Sequence, residues 1–227
     1  MTNPMSLEGK RILITGSSSG VGKACADLCA ELGADIVPMS RRDCNCDLSD
    51  IDNIAPKVSE LLGDKRLDGL VHSAGIAPMA PLGMFNQEEI RRAFEINYLA
   101  FLELVKCCTK MRVRNPDFSI VGVSSVSAAV GWAGGSVYCG TKGALSATVR
   151  SLAIELAPKR IRVNAVCPSN IDTPLHTDSL SENLSKYQPL GLGKPMQVAN
   201  AVAFLLSDAA SFITGVNLPV DGGYIAQ

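Results

Sequence analysis

Near the N-terminus the sequence predicts a strand, a glycine-rich turn and a helix in direct succession. The strand is the apolar, β-branched run RILIT at residues 11–15, and three glycines follow it closely. Apolar residues then recur at helical spacing over residues 21–32, until Gly33 ends the pattern. A strand that enters a helix through such a turn packs that helix against its own sheet, so the chain is constrained towards an α/β fold.

The same alternation of strand and helix continues along the chain. Short, nearly continuous apolar runs predict strands at residues 34–40, 67–73, 119–125 and 160–167. Helical periodicity between them predicts helices at residues 51–62, 87–112 and 138–156. Strands that are apolar on both faces indicate a parallel sheet covered on both sides. We therefore predict a doubly wound α/β fold of the Rossmann type, as a single domain over residues 1–227.

One segment breaks this rhythm. Residues 170–194 are rich in Ser, Pro and Gly and show little periodicity, which predicts a mobile flap over a substrate.

Composition narrows the possible partners. The 227 residues are 47% hydrophobic and carry a formal net charge of -1, whereas a nucleic-acid-binding surface needs clustered Lys and Arg. The N-terminus has no signal-peptide pattern, and no stretch approaches the ~18 apolar residues that span a bilayer. We expect a soluble, cytoplasmic protein that binds a small molecule and contacts neither membrane nor nucleic acid.

Eight cysteines raise the question of disulfides or a metal site. Most of them lie inside apolar helix or strand patterns, which favours buried free thiols. A zinc site is the alternative, but the sequence has no Cys-x-x-Cys pair, and His72 and His176 lie far from the cysteines along the chain. We expect no metal.

The first turn has the composition of a phosphate-binding site. It contains the glycines Gly16, Gly20 and Gly22 and the serines Ser17, Ser18 and Ser19. Glycines permit close approach of the backbone, and a helix N-terminus offers unpaired N–H groups to a pyrophosphate. A plain connection from strand to helix is the alternative, and the added hydroxyl donors argue against it. The turn predicts a bound dinucleotide.

The end of the second predicted strand bears on which dinucleotide binds. Arg41 and Arg42 follow it directly, and cations suit a ribose 2′-phosphate, whereas an acidic residue suits a free 2′-hydroxyl. This favours NADP over NAD. Alternatively, the two arginines are solvated charges paired with Asp43 and Asp47.

Tyr138, Lys142 and Ser125 have the chemistry for reducing a carbonyl. Positions i and i+4 share a helix face, so Tyr138 and Lys142 can address one ligand, and a nearby ammonium is expected to lower the pKa of the phenol. Ser125 lies thirteen residues upstream at the end of a predicted strand. Its neighbour Ser124 points to the opposite face of that strand, so Ser125 is the candidate.

These motifs together resemble the short-chain dehydrogenase/reductase family, in the subgroup that includes the 3-oxoacyl-carrier-protein reductases. The resemblance runs almost end to end and includes the turn at residues 15–22, Asp47 and Leu48, the segment at residues 167–173, and the C-terminal signature at residues 204–223. It implies a catalytic set of Asn97, Ser125, Tyr138 and Lys142. In that set Asn97 positions a water that joins Lys142 to solvent, although an ordinary polar helix residue is the alternative for it. It also implies a homo-oligomer, either a dimer or a tetramer, paired through the two long helices.

Turn chemistry and resemblance together assign the cofactor-binding residues. They are Gly16, Ser18, Ser19, Gly20, Val21, Gly22, Arg41, Arg42, Asp47, Leu48, Ser73, Ala74, Gly75, Tyr138, Lys142, Pro168, Ile171 and Thr173.

The chain departs from the family pattern at three places. Ser73 replaces an asparagine, Ser169 replaces a glycine, and a helix with most of a strand is missing between Arg42 and Asp47. We expect a less covered adenine end of the cofactor site.

The sequence thus predicts an enzyme that transfers hydride between NADP(H) and a carbonyl or secondary alcohol, with a 3-oxoacyl thioester or a related small ketone as substrate. One alternative is an NAD-dependent alcohol or hydroxysteroid-type dehydrogenase. The other is a regulator that senses NADP without turnover.

Overall fold

The fold is organised around one parallel sheet. The computed structural model describes residues 3–173 and 187–226, and within them the sheet has six strands in the order β2-β1-β3-β4-β5-β6. The strands are β1 Arg11–Thr15, β2 Asp35–Met39, β3 Leu67–His72, β4 Arg114–Val123, β5 Ile161–Pro168 and β6 Asn217–Val220. The predicted doubly wound fold is confirmed.

Helices connect successive strands. They are α1 Gly20–Glu31, α2 Arg41–Cys44, α3 Ile51–Leu62, α4 Gln87–Phe94, α5 Ala100–Cys108, α6 Ser136–Leu156 and α7 Pro195–Leu206, with a π-turn at Glu95–Leu99 and short 3₁₀ turns at Leu82–Met84, Val126–Ala128, Ala157–Lys159 and Asp208–Ala210. Asn86 begins α4 with a capping box, since its side chain accepts from the Glu89 N–H while the Glu89 side chain accepts from the Asn86 N–H.

Side-chain alternation along β1 divides the core into two layers. Ile12 and Ile14 pack with α1 and α7 on one face, whereas Leu13 packs with α3, α5 and α6 on the other. The strand order reverses between β1 and β3. In such sheets the crevice at the carboxyl ends of these strands is where ligands bind.

The segment between Arg42 and Asp47, which lacks a helix and most of a strand of the family pattern, follows the edge strand of the sheet. β2 is the outermost strand, and the chain leaves it through the four-residue helix α2 and then runs to α3. Pro38 lies in β2 opposite Ile14. A proline, which has no N–H to donate, is compatible with an edge strand.

Several predicted boundaries differ from the structure. The helix expected over residues 87–112 contains the π-turn and ends at Cys108, because residues 114–118 extend β4 towards β3. The bounds of β1 match the prediction, and those of β2, β3, β5 and α6 differ from it by one or two residues. The strand β6 was not predicted. Of the predicted flap, residues 174–186 lie outside the described residues.

The cysteines are free thiols, and six of the eight are buried, as predicted. In the described part of the chain, no helix is both long enough and apolar enough to cross a bilayer.

Candidate active site

The glycine-rich turn packs so closely that two of its glycines cannot carry a side chain. A Cβ on Gly16, where φ is +69°, would lie 2.9 Å from Ala74 Cα, and a Cβ on Gly22 would lie 2.2 Å from the Gly16 carbonyl oxygen. Real Cβ contacts are longer, so these glycines set the path of the backbone. The turn between β1 and α1 therefore lies directly against the segment that follows β3.

The N-terminus of α1 has the features of an anion cradle. Its N-cap, Ser19, is extended and makes no side-chain capping bond, so the first N–H groups of the helix are available to an anion. Gly20 lies there with a φ of +54°, and Ser18, Ser19 and Val21 are all partly accessible. The geometry fits the diphosphate of a dinucleotide.

Ser17 differs from the other two serines of the turn. Its hydroxyl donates to the Asp43 carboxylate at 2.6 Å, and Ser40 donates to the same oxygen at 2.7 Å. These hydrogen bonds hold the pKa of Asp43 below its ordinary value. The glycine turn and the residues after β2 are thereby joined.

Arg41 and Arg42 are solvated charges near Asp43 and Asp47, and the charge of Arg42 contributes a small part of the lowered pKa of Asp43. Asp47 binds the Ser49 hydroxyl and N–H and forms an ion pair with Arg92 at 3.3 Å. Within the described residues, no hydrogen bond or ion pair involves the guanidinium group of Arg41 or Arg42, and both are exposed. Leu48, predicted to contact the cofactor, is buried in the α3 layer of the core.

Lys142 is a buried cation. Its Nζ donates to the Val123 carbonyl oxygen at 2.8 Å and lies 5.7 Å from the centre of the Tyr138 ring, one turn away on α6. Burial lowers the pKa of Lys142 to about 8, because desolvation disfavours the charged form.

The pKa of Tyr138 differs from the sequence-based expectation. Burial raises it to about 12, and the nearby Ser125 side chain lowers it by a smaller amount. The expected lowering by Lys142 is absent, since desolvation of the phenolate dominates at this position. In this structure Tyr138 is a neutral phenol over the whole physiological range.

Ser124 and Ser125 point to opposite sides, as strand alternation predicts. The Ser125 hydroxyl lies 2.7 Å from the Ser127 hydroxyl and 3.4 Å from the Pro168 carbonyl oxygen. The Ser124 hydroxyl instead binds Ser146 at 2.7 Å, away from Pro168. Ser125 thus lies between Tyr138 and the loop that begins at Pro168.

Asn97 lies in the π-turn, fully buried. Its Oδ1 accepts from the Ile76 N–H and its Nδ2 donates to the Ile76 carbonyl, both at 2.8 Å, and Nδ2 also donates to Thr141. A Cβ on Gly75 would lie 3.1 Å from Asn97 Oδ1 and 3.5 Å from Lys142 Nζ. Asn97 and Lys142 therefore meet at Gly75, and π-turns often occur at functional sites.

The loop after β5 returns to the glycine turn. The position of a Cβ on Gly20 is 3.5 Å from the Thr173 side chain, so Thr173 lies against the start of α1. Ile171 is buried and pairs with Gly193 across the loop. These contacts bring Pro168, Ile171 and Thr173 to the same edge of the sheet as Ser73, Ala74 and Gly75.

The serine at position 169 has a structural role that explains this departure from the family pattern. Its hydroxyl donates to Gln188 Oε1 at 2.9 Å and lies 3.0 Å from the Asp221 carbonyl oxygen. Gln188, which is buried, also donates to the carbonyls of Asn170 and Gly191. Sequence reasoning missed Gln188, because it lies in a segment without periodicity.

Two further polar residues were missed, although a signal was present. Thr15 and His72 are the last residues of β1 and β3, where they pair directly and are both buried. A polar side chain at the end of an otherwise apolar strand was the feature that could have identified them.

Comparisons with known proteins find similar chains over nearly the whole length. A family model described as enoyl-(acyl carrier protein) reductase matches residues 8–225. The chain is 38% identical to the cis-4-hydroxycyclohexanecarboxylate dehydrogenase of Sinomonas cyclohexanicum, over 94% of this chain and 96% of that protein.

Solved structures are similar over nearly the whole chain. One, from Beutenbergia cavernae, is assigned as an NAD(P)-dependent gluconate 5-dehydrogenase and has NADP bound. It matches with a TM-score of 0.93 and 28% identity over 99% of this chain and 100% of that one. The 3-ketoacyl-(acyl-carrier-protein) reductase of Brucella melitensis, complexed with NADH, matches with a TM-score of 0.86 and 32% identity over 96% and 99% of the two chains.

Replacing the buried cation should stabilise the fold. Between pH 8 and about 10.4, the ordinary lysine pKa, the unfolded chain binds more protons than the folded chain, so stability rises with pH in that window. We expect Lys142→Met to raise the free energy of unfolding at pH 7 by about 1 to 2 kcal/mol, after allowing for the lost hydrogen bond to Val123. The difference in the free energy of unfolding between Lys142→Met and the unsubstituted chain should shrink as the pH rises from about 8 to about 10.4.

Urea unfolding of both chains at pH 7 and at about pH 10 measures this difference. Lys159→Met, which removes an exposed ammonium, is the matched control. If Lys142→Met is less stable than the unsubstituted chain at pH 7, burial of the Lys142 ammonium does not destabilise the fold.

Proposed function

The chain belongs to the short-chain dehydrogenase/reductase family and is an oxidoreductase that acts on alcohol and ketone substrates, and we propose that it transfers hydride between NADP(H) and a small ketone. One observation carries this proposal. Tyr138, Lys142 and Ser125 converge beside a glycine cradle at the carboxyl edge of the sheet, with Lys142 Nζ 5.7 Å from the Tyr138 ring.

The reaction requires a proton donor at the substrate oxygen. When bound at the glycine turn, a reduced nicotinamide cofactor would supply the hydride for the carbonyl carbon. Tyr138, neutral because burial raises its pKa to about 12, donates its phenolic proton to the carbonyl oxygen, and an alcohol forms. Ser125 donates a hydrogen bond to that same oxygen and orients it.

Lys142 and Asn97 help to replace the proton that Tyr138 donates. With a pKa near 8, Lys142 can exchange protons near neutral pH, and its positive form stabilises the tyrosinate left after transfer. Asn97 meets Lys142 at Gly75. Its amide is held by Ile76 and Thr141, which fixes it where a water could join Lys142 to solvent.

Two exposed arginines support NADP as the preferred cofactor. Arg41 and Arg42 follow β2 at the edge of the glycine turn, and the nearby carboxylates of Asp43 and Asp47 are bound elsewhere. Two exposed guanidinium groups that form no ion pair of short distance within the described residues suit a 2′-phosphate. The similar structures hold NADP in one case and NADH in another.

We infer an apolar rim at the substrate end of the site. Trp132 lies 6.1 Å from the Tyr138 ring, centre to centre. The loop at residues 79–84 is joined to Gly134 through the Ala80 N–H and exposes Met79, Leu82 and Met84. An apolar rim favours a ketone with a hydrocarbon body, such as an alicyclic ketone or a 3-oxoacyl thioester, over a polyhydroxylated sugar acid.

We propose in addition that the chain forms homo-oligomers through α4, α5 and α6. Ile154 on α6 and Leu99 in the adjoining π-turn expose large apolar side chains, which a second copy would cover.

Removal of the phenolic hydroxyl tests the chemistry. We expect Tyr138→Phe to lower kcat at least about 100-fold, since general acid catalysis typically contributes 10²–10⁴-fold, while NADPH affinity stays close to that of the unsubstituted chain. Steady-state assays by loss of reduced-cofactor absorbance and a fluorescence titration measure the two quantities. Tyr224→Phe, in the C-terminal turn, is the control; undiminished turnover in Tyr138→Phe would exclude this mechanism.

The cofactor preference is tested at Arg41. Loss of a charge-assisted bond of about 1.5 to 3 kcal/mol should raise the Kd for NADPH about 10- to 100-fold in Arg41→Ala, with little change for NADH. Isothermal titration of both cofactors measures it, and Arg66→Ala, which removes an exposed arginine remote in sequence, is the control. Equal weakening of both cofactors would indicate that no phosphate is bound there.

The substrate class is tested with three ketones: a cyclohexanone, an acetoacetyl thioester and 5-ketogluconate. Because a few apolar contacts each discriminate by about 1 to 3 kcal/mol, we expect kcat/KM for the first two to exceed that for the third at least about tenfold. Trp132→Ala should reduce this ratio. A preference for the sugar acid would contradict the assignment of the rim.

A further inference from the structure

Thr15 and His72 form a buried pair that the proposed chemistry does not use. They lie side by side at the carboxyl ends of β1 and β3, both with no exposed surface. The Thr15 hydroxyl lies 3.1 Å from His72 Nδ1. It also accepts from the backbone N–H groups of Ser73 at 3.1 Å and Ala74 at 3.2 Å.

These contacts determine which nitrogen of His72 is protonated. A threonine hydroxyl has one hydrogen and two lone pairs. Because the N–H groups of Ser73 and Ala74 occupy the lone pairs, the hydrogen is left for His72 Nδ1, which must accept it. The imidazole is therefore neutral with its proton on Nε2. The low pKa of His72, about 3 through burial and the charge of Lys142, agrees with a neutral ring.

The protonated Nε2 lies in a buried region next to the π-turn. Nε2 is buried and makes no hydrogen bond of standard geometry within the described residues. The backbones of Ile96 and Asn97 nevertheless lie close enough to act on the pKa of the ring, raising it against the larger effect of burial. A π-turn disturbs the regular i→i−4 ladder, so its carbonyl groups can accept from an outside donor.

We propose that His72, as the neutral Nε2-protonated tautomer, is a positioning residue that fixes the π-turn carrying Asn97 relative to the glycine turn. The contacts close a circuit. Thr15 donates to His72, the backbones of Ile96 and Asn97 lie close to the His72 ring, and the Asn97 amide binds Ile76. The chain from Ile76 back to Ser73 returns to the Thr15 hydroxyl.

This circuit surrounds the parts that the proposed function requires, and the inference rests on that function. It spans the residues before Gly16, the segment at residues 73–76, and the position of Asn97 beside Lys142 Nζ at Gly75.

The tautomer is measurable without any assay of activity. The sequence has two histidines, so His176→Ala leaves His72 as the only ring in a ¹⁵N-histidine NMR spectrum of the full chain. We expect an unprotonated Nδ1 and a protonated Nε2, unchanged from about pH 5.5 to about pH 8. A protonated Nδ1, or titration within this range, would overturn the assignment.

The positioning role is tested by combining variants. We expect His72→Leu to lower kcat about tenfold or more while the Kd for NADPH changes less than about twofold, and His72→Gln, whose amide both accepts and donates, to recover part of the loss. In an Asn97→Ala background, His72→Leu should cost less than about twofold, because residues that act as one unit are not additive.

Two results would refute this role: losses that multiply in the double variant, and equal losses for His72→Leu and His72→Gln. If His72→Leu does not fold, the His72→Gln variant and the NMR spectrum still decide the question. A chain that reduces no ketone at all would instead count against the proposed function, since the spectrum reports on His72 independently.

Discussion

The buried ammonium of Lys142 is the constraint around which the site is arranged. It lies in the core beside Tyr138 with the Val123 carbonyl as its hydrogen-bond acceptor, and burial of the cation lowers its pKa to about 8. A charge in such a place costs stability unless it is well bonded. The fold tolerates it at the carboxyl edge of a parallel sheet, where the end of β4 turns a carbonyl towards α6.

The sheet topology explains why so many distant residues meet there. Parallel strands end at one edge, and the reversal of strand order between β1 and β3 opens a crevice at that edge. Thr15, His72, Ser125 and Pro168 all lie at or directly after strand ends. Contacts that join these ends, such as Gly16 against Ala74 and Ser125 against Pro168, therefore shape the site without long connecting loops.

Features fixed by local geometry could be predicted from the sequence, whereas features set by packing could not. The glycine turn and the opposite directions of Ser124 and Ser125 follow from φ preferences and strand alternation, and the structure contains both. The π-turn at Glu95–Leu99 could not be seen, because the apolar pattern continues through it. The raised pKa of Tyr138 depends on its burial. The hydrogen bond between Ser169 and Gln188 joins segments that are distant along the chain.

The neutral state of His72 follows from burial, and the charge of Lys142 adds to it. Burial lowers the pKa of His72 to about 3 together with the smaller effect of Lys142, since two positive charges in one buried region would repel each other in a medium of low dielectric constant. A neutral imidazole can accept at one nitrogen and donate at the other, which a cation cannot do. The same buried ammonium that stabilises a tyrosinate after proton transfer therefore adds to the burial that keeps His72 in its neutral form.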